Sequence, residues 1–224
     1  MAINRQSTAA LAALLFAASG CLLKDVDHTW YLDPVSGAVT WTVFEHDVRS
    51  DAATLPDRTV EELQYWNAVQ TESHPVANGL REFGGLDLRT RVIRSRVPYS
   101  VVTDASFSTI DDLGRRLIVL AGLSGSSLLE RDGDAVQWTL LVRDPHAEDP
   151  SPSDAVSALL GDLLGLRVVL TEGRFESGVG FTFDSDKRVA RFEEPDDPDE
   201  EIMLELRLRW KSPGAAAGPA QPAS

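Results

Sequence analysis

"RTRVIRSR", from Arg89 to Arg96, sets four guanidinium groups, Arg89, Arg91, Arg94 and Arg96, close together in a chain whose formal net charge is −14. The planar fork of arginine binds phosphate or carboxylate through two parallel N–H···O bonds, so such a group beside an apolar surface suits an anionic headgroup. On a regular strand Arg89 and Arg91 take one face while Arg94 and Arg96 take the other, unless a bulge intervenes at Val92–Ile93. The alternative role is structural, in which the arginines pair across a sheet with Glu and Asp of neighbouring strands.

Other reactive residue types lack the spacing that chemistry needs. "GLSGSS", from Gly122 to Ser127, does not have the G-x-S-x-G spacing of a nucleophile elbow. The histidines are His28, His46, His74 and His146, and no two fall at i, i+4 on a predicted helix. In "EHD", Glu45–Asp47, strand alternation predicts that His46 faces away from both acidic neighbours. "SGVGF" has two glycines but no following helix to cradle a phosphate. The seven acids of Glu193–Glu201 are broken by Pro195 and Pro198, where a calcium loop needs a glycine turn, and read as a solvated loop. These patterns predict no catalytic residue, no metal and no cofactor. A binding domain is expected, not an enzyme.

The single cysteine, Cys21, follows a short polar region with Arg5, an apolar stretch from Ala9 to Ala18, and then Ser19 and Gly20. That is the three-part layout of a secretory signal. Its apolar part is well short of the roughly 20 residues that cross a bilayer. "Ala18-Ser19-Gly20-Cys21" resembles the lipobox of bacterial lipoproteins, with alanine where that pattern prefers leucine. The resemblance implies a diacylglyceryl group on Cys21, cleavage before it and acylation of the new amine. Several acyl chains anchor a protein firmly where one holds only marginally. Leu22 follows the cysteine in place of aspartate, which in a Gram-negative envelope implies the outer membrane over the inner. With its cysteine so used, the chain has none left for a disulfide.

The elements that position these residues can be read from periodicity. "HTWYLDPVSGAVTWTVFEHDV" predicts a hairpin turning at Pro34–Gly37. "TVEELQYWNAVQ" predicts a helix capped by Thr59, with Val60, Leu63, Trp66 and Val69 inward, and "HPVANGLREFGG" a second short helix. Leu88–Thr103 is extended and interrupted at Pro98. "FSTIDDLGRRLIVLAGL" predicts a helix capped by Ser108 with Ile110, Leu113, Leu117 and Leu120 buried. "SSLLERDGDAVQWTLLVRD" predicts a hairpin with Asp132-Gly133 at the centre of its turn. A helix is predicted after Ser151 and Pro152, then strands at "LRVVL", at "GFTFDSD" or "RVARFEE", and at "EIMLELRLRW", whose alternation puts Ile202, Leu204, Leu206, Leu208 and Trp210 on one face.

Tight hairpins and amphipathic helices together predict an α+β, two-layer architecture: a mostly antiparallel sheet covered on one face by about three helices. The expected organisation is a signal over 1–20, a lipidated tether over 21–27, one domain over 28–211 and a disordered tail over 212–224. The lipobox, the "WYLDPVSGAVTW" hairpin, "VVTDASFSTIDDLGRRL" leading into a helix, and the late strands together resemble the LppM-like envelope lipoproteins. That resemblance implies helices packed on an antiparallel sheet and a role with envelope lipids.

An acidic surface repels nucleic acid and anionic membrane surfaces, so neither is expected as a general partner. The expected partners are the membrane, through lipid on Cys21, and a lipid or lipoglycan held in an apolar cleft between helices and sheet. The alternative is a protein–protein interaction module of an envelope assembly.

Overall fold

The computed structural model describes residues 22–143, 165–193 and 204–212. Among them the chain forms eleven strands and three helices in the order β1 (Leu22–Leu32), β2 (Val39–Ser50), α1 (Leu55–Gln70), α2 (Pro75–Glu82), β3 (Leu86–Arg94), β4 (Tyr99–Phe107), α3 (Ile110–Leu120), β5 (Ser124–Asp132), β6 (Ala135–Arg143), β7 (Arg167–Leu170), β8 (Phe175–Val179), β9 (Phe181–Phe183), β10 (Val189–Phe192) and β11 (Leu204–Lys211). The strands make two sheets. One has seven strands, ordered β3-β4-β2-β1-β7-β10-β9, and the other four, ordered β5-β6-β11-β8. Within them only β1 and β7 pair in parallel.

This corrects the expected fold class. The protein is mostly β, built on two sheets, not one sheet roofed on a single face by about three helices. Alternation tells each strand which face to bury and leaves open what covers that face. Here much of the cover is other strands. Trp30 and Trp41 of the larger sheet share one core with Trp138 and Trp210 of the smaller. The edge of Trp30 meets Trp138 at 6.2 Å between ring centroids, joining the sheets directly. Between β8 and β9 the chain passes from one sheet to the other at Gly180. Its φ of +69° suits glycine, and an added Cβ would lie 2.5 Å from Leu206.

Several local readings also shift. Helix α1 begins at Leu55, one turn before the expected start. The Thr54 side chain accepts the Asp57 N–H at 3.3 Å, while Thr59, inside the helix, donates its hydroxyl to Leu55 O. Only the second half of α1 reaches the sheet, so Tyr65 and Val69 are buried while Val60 and Leu63 are exposed. The cap of α3 is Thr109, not Ser108, because β4 runs on to Phe107. In the β5–β6 hairpin Asp132 pairs with Ala135, so the turn is centred on Gly133-Asp134, one residue later than expected. Both "GFTFDSD" and "RVARFEE" contribute strands. Strand β1 starts at Leu22, inside the segment expected as a tether, because Leu22 and Leu23 pair with Ser50 and Arg49. Cys21, His146, the helix predicted after Ser151, Ile202, most of the acidic run and the tail after Ser212 lie outside the described residues.

Candidate functional site

Two regions hold the polar chemistry, one sealed and one open. The sealed one is centred on Glu45. It continues the inward series Val39, Trp41 and Val43 on β2, so its carboxylate enters the core fully buried. Lys24 of β1 donates to Glu45 Oε1 at 2.7 Å, and its own side chain is almost covered. On the other side, His74 Nε2 lies 3.5 Å from Glu45 Oε2 and 3.0 Å from Thr103 Oγ1 of β4. His74 is the N-cap residue of α2, held there in an extended conformation before Pro75. Tyr65 comes in from α1. Its hydroxyl, Glu45 Oε2 and His74 Nδ1 are buried and make no hydrogen bond of normal geometry.

Burial is the main cause that holds the His74 ring below its ordinary pKa, against the pull of Glu45. Burial also raises the Tyr65 hydroxyl, and Glu45 adds to that rise. A carboxylate, an imidazole and a phenol would make a competent acid–base group in an open cleft. Here α1 and α2 close over it, and its work is to tie both helices to β1, β2 and β4. Sequence reading passed over Glu45. The signal was its phase, since it sits where alternation calls for another apolar residue.

His28, next to this region on β1, accepts the Trp41 indole N–H at Nδ1 (3.2 Å). Burial lowers its pKa from 6.5 to about 4, with Asp27 opposing and Lys24 assisting. The unfolded chain therefore takes up a proton before the folded one does. The stabilisation is complete above the unfolded value of 6.5 and is lost as pH falls from there towards 4. Urea denaturation should show about 2 kcal/mol less stability at about pH 5 than at about pH 7.5 from this group, by the proton-linkage relation. A His28→Gln variant should lose that part of the slope. An unchanged slope would place the proton uptake elsewhere.

The open region is the outer face of the seven-stranded sheet. Arg89 lies opposite Asp104, Arg91 opposite Val102 and Arg94 opposite Ser100. On β4 these even-numbered residues point away from the core, while Val101, Thr103 and Ala105 point into it. The register slips between Val92 and Arg94, so a bulge returns Arg94 to the face of Arg89 and Arg91. Arg96 lies beyond the end of β3, in the turn before β4. Arg91 is held at 2.8 Å by Asp104, whose other oxygen accepts from Thr42. Arg89, Arg94 and Arg96 form no ion pair among the described residues. Cross-strand partners continue this face through Thr42, Thr29 and Arg167 to Arg191. The expected cleft between helices and sheet is filled at its centre by the shared tryptophan core. A cavity of about 400 Å³ between the end of α1 and β3, lined by Val69, Gln70, Thr71, Glu72, Thr90 and Val92, is open and mainly polar.

His46 departs from its expected isolation. A second bulge, in β2 between Glu45 and Val48, puts Asp47 in the left-handed region (φ 54°) and turns it towards His46. Asp47 Oδ2 stands 3.4 Å and Asp25 Oδ2 4.0 Å from His46 Nδ1, with Asp27 3.5 Å from Nε2. The three carboxylates are exposed, and the ring stacks on Phe44. The bulge has a packing reason, because the extra residue lets Glu45 and Val48 both face inward.

No family model matches the chain, and no curated protein matches it. Among solved structures, the NMR structure of the folded domain of the Mycobacterium tuberculosis LppM protein is similar at 13% identity, covering 85% of this chain and 91% of that one, with a TM-score of 0.32.

Proposed function

We propose that this is a lipid-anchored cell-envelope protein whose domain is a non-catalytic binding module, and that its site is the open face of the larger sheet, where it takes an anionic lipid or lipoglycan headgroup. The observation that supports this reading is the bulge that gathers Arg89, Arg91 and Arg94 on one exposed face. Asp104 orders Arg91 without consuming the group. A bidentate guanidinium pair with a phosphate adds geometry as well as charge, and an open sheet presents several such forks at fixed spacing. The acid–base group of Glu45, His74 and Tyr65 is sealed from solvent, which favours a binding role for the open face. Lipid on Cys21 supplies the anchor, as the lipobox resemblance implies.

Titration of the full chain in neutral detergent with short-chain phosphatidylglycerol, followed by NMR, tests the site. Saturable shifts should centre on β3 and β4, and Arg89→Ala with Arg91→Ala should weaken binding tenfold or more. Equal binding of short-chain phosphatidylcholine, or an affinity unmoved by the two substitutions, would overturn the headgroup reading. The outer face would then fit a protein partner better.

A further inference from the structure

The start of β1 fixes more than an anchor point. Leu22 pairs with Ser50, and Val48 pairs with Tyr99, so antiparallel counting puts Leu22, Ser50 and Val97 at one level of the sheet. The described chain therefore begins level with the β3–β4 turn, Ser95–Pro98. Neighbouring strands are roughly 4.8 Å apart, so three spacings separate β1 from β3 by roughly 14 Å. Leu22, which follows Cys21 in the chain, is already in the ladder.

This pole has a surface unlike the rest of an acidic protein. Leu23 is 49% exposed, Ile93 60% and Val97 40%, and Leu55, which opens α1 shortly after Ser50, is 75% exposed. Arg94 and Arg96 flank Ile93 and Val97 in the turn, which holds no acid, while Arg49 and Leu55 have Asp51, Asp57, Glu61 and Glu62 near them, the last two accepting from Ser50. Ile93 is the residue that the β3 bulge leaves over, so the same irregularity that turns Arg94 outward also exposes an isoleucine at the sheet end. Apolar tips ringed by arginine match the interface of a bilayer, where the aliphatic stem enters and the charged head stays among phosphates. Away from this pole and the arginine-bearing sheet face, the acidic surface is repelled by anionic lipid.

We infer that this pole, made by Leu23, Leu55 and the Ile93–Pro98 turn, seats directly on the bilayer that holds the Cys21 lipid, with Ile93 and Val97 in the interface and Arg94 and Arg96 on anionic headgroups. The domain then stands on the membrane with its strands steeply inclined, and the outer sheet face opens sideways just above the headgroups. The inference rests on the anchored reading of Cys21 and adds a second, non-covalent contact to it.

The test uses the full chain reconstituted in vesicles of phosphatidylethanolamine and phosphatidylglycerol. Thioether formation at Cys21 leaves a cysteine introduced by Val97→Cys as the one free thiol, which takes an environment-sensitive fluorophore. A Val35→Cys label, in the β1–β2 turn at the other end of the sheet, is the control. A blue-shifted label at position 97, quenched several-fold more by nitroxide lipid than the label at 35, is the expected result. Arg94→Ala with Arg96→Ala, both on exposed sites, should reduce that difference. A vesicle-bound protein whose two labels are equally water-exposed overturns the seating and leaves the anchor intact. A mass showing Cys21 without acyl chains, with no co-flotation, overturns the anchored reading and this inference together.

Discussion

Lys24→Met is expected to destabilise the protein by about 3–5 kcal/mol, the cost of leaving one member of a buried ion pair without its partner. The Lys24 ammonium is the group that Glu45 Oε1 accepts from at 2.7 Å, and both side chains are shielded from water. Methionine keeps the length of the lysine stem and removes the charge, so Glu45 would sit in the core with no cation beside it, only the neutral His74 ring and the Tyr65 hydroxyl. The same physics predicts recovery in the double variant. Lys24→Met with Glu45→Leu removes both desolvation penalties, and a buried pair replaced by apolar groups of similar volume is often neutral or better. Urea denaturation of the wild type, both single variants and the double variant forms the cycle that reads the coupling. A Lys24→Met variant as stable as the wild type would show that the pair is hydrated and that Glu45 is not sealed.

That cluster also marks where sequence reading stopped. Alternation on β2 was legible from Val39 to Val43, and β11 was legible from Leu204 to Trp210, because apolar residues at period two leave little choice of face. Helices α2 and α3 were legible for the same kind of reason. A charged residue in phase with an apolar series gives no such signal, since its partners come from β1, β4 and two helices far away in the chain. The bulge at Asp47 was equally hidden, because it depends on Glu45 and Val48 both having to face inward and reverses an alternation that sequence extends unbroken. A bulge at Val92–Ile93 was one of the two arrangements the sequence left open, and the register of β3 on β4 decides for it. For the arginines, composition showed the group and the bulge decided its geometry. The second sheet was missed because its strands cover a face that helices could have covered as well. The β5–β6 turn moved by one residue, a slip that dipeptide preference alone does not resolve.

Trp138→Ala is expected to cost about 3–5 kcal/mol, because it empties the place where the two sheets and a helix meet. Trp138 is fully buried on β6, and its edge-on contact with Trp30 is a direct link between the sheets. Its indole N–H donates to Ser127 Oγ on β5 at 2.9 Å. Ser127 in turn packs against α3 so closely that a Cβ at Gly114 would lie 2.3 Å from that oxygen. Shape and the hydrogen bond can be separated. Trp138→Phe keeps most of the volume but leaves a buried hydroxyl without its donor, which should cost about 1–3 kcal/mol. If the sheets fold as one unit, near-UV and far-UV signals should shift to lower urea together in the alanine variant. Two separate transitions would mean that the smaller sheet opens independently of the larger, and the shared tryptophan core would then be a contact between units instead of the interior of one.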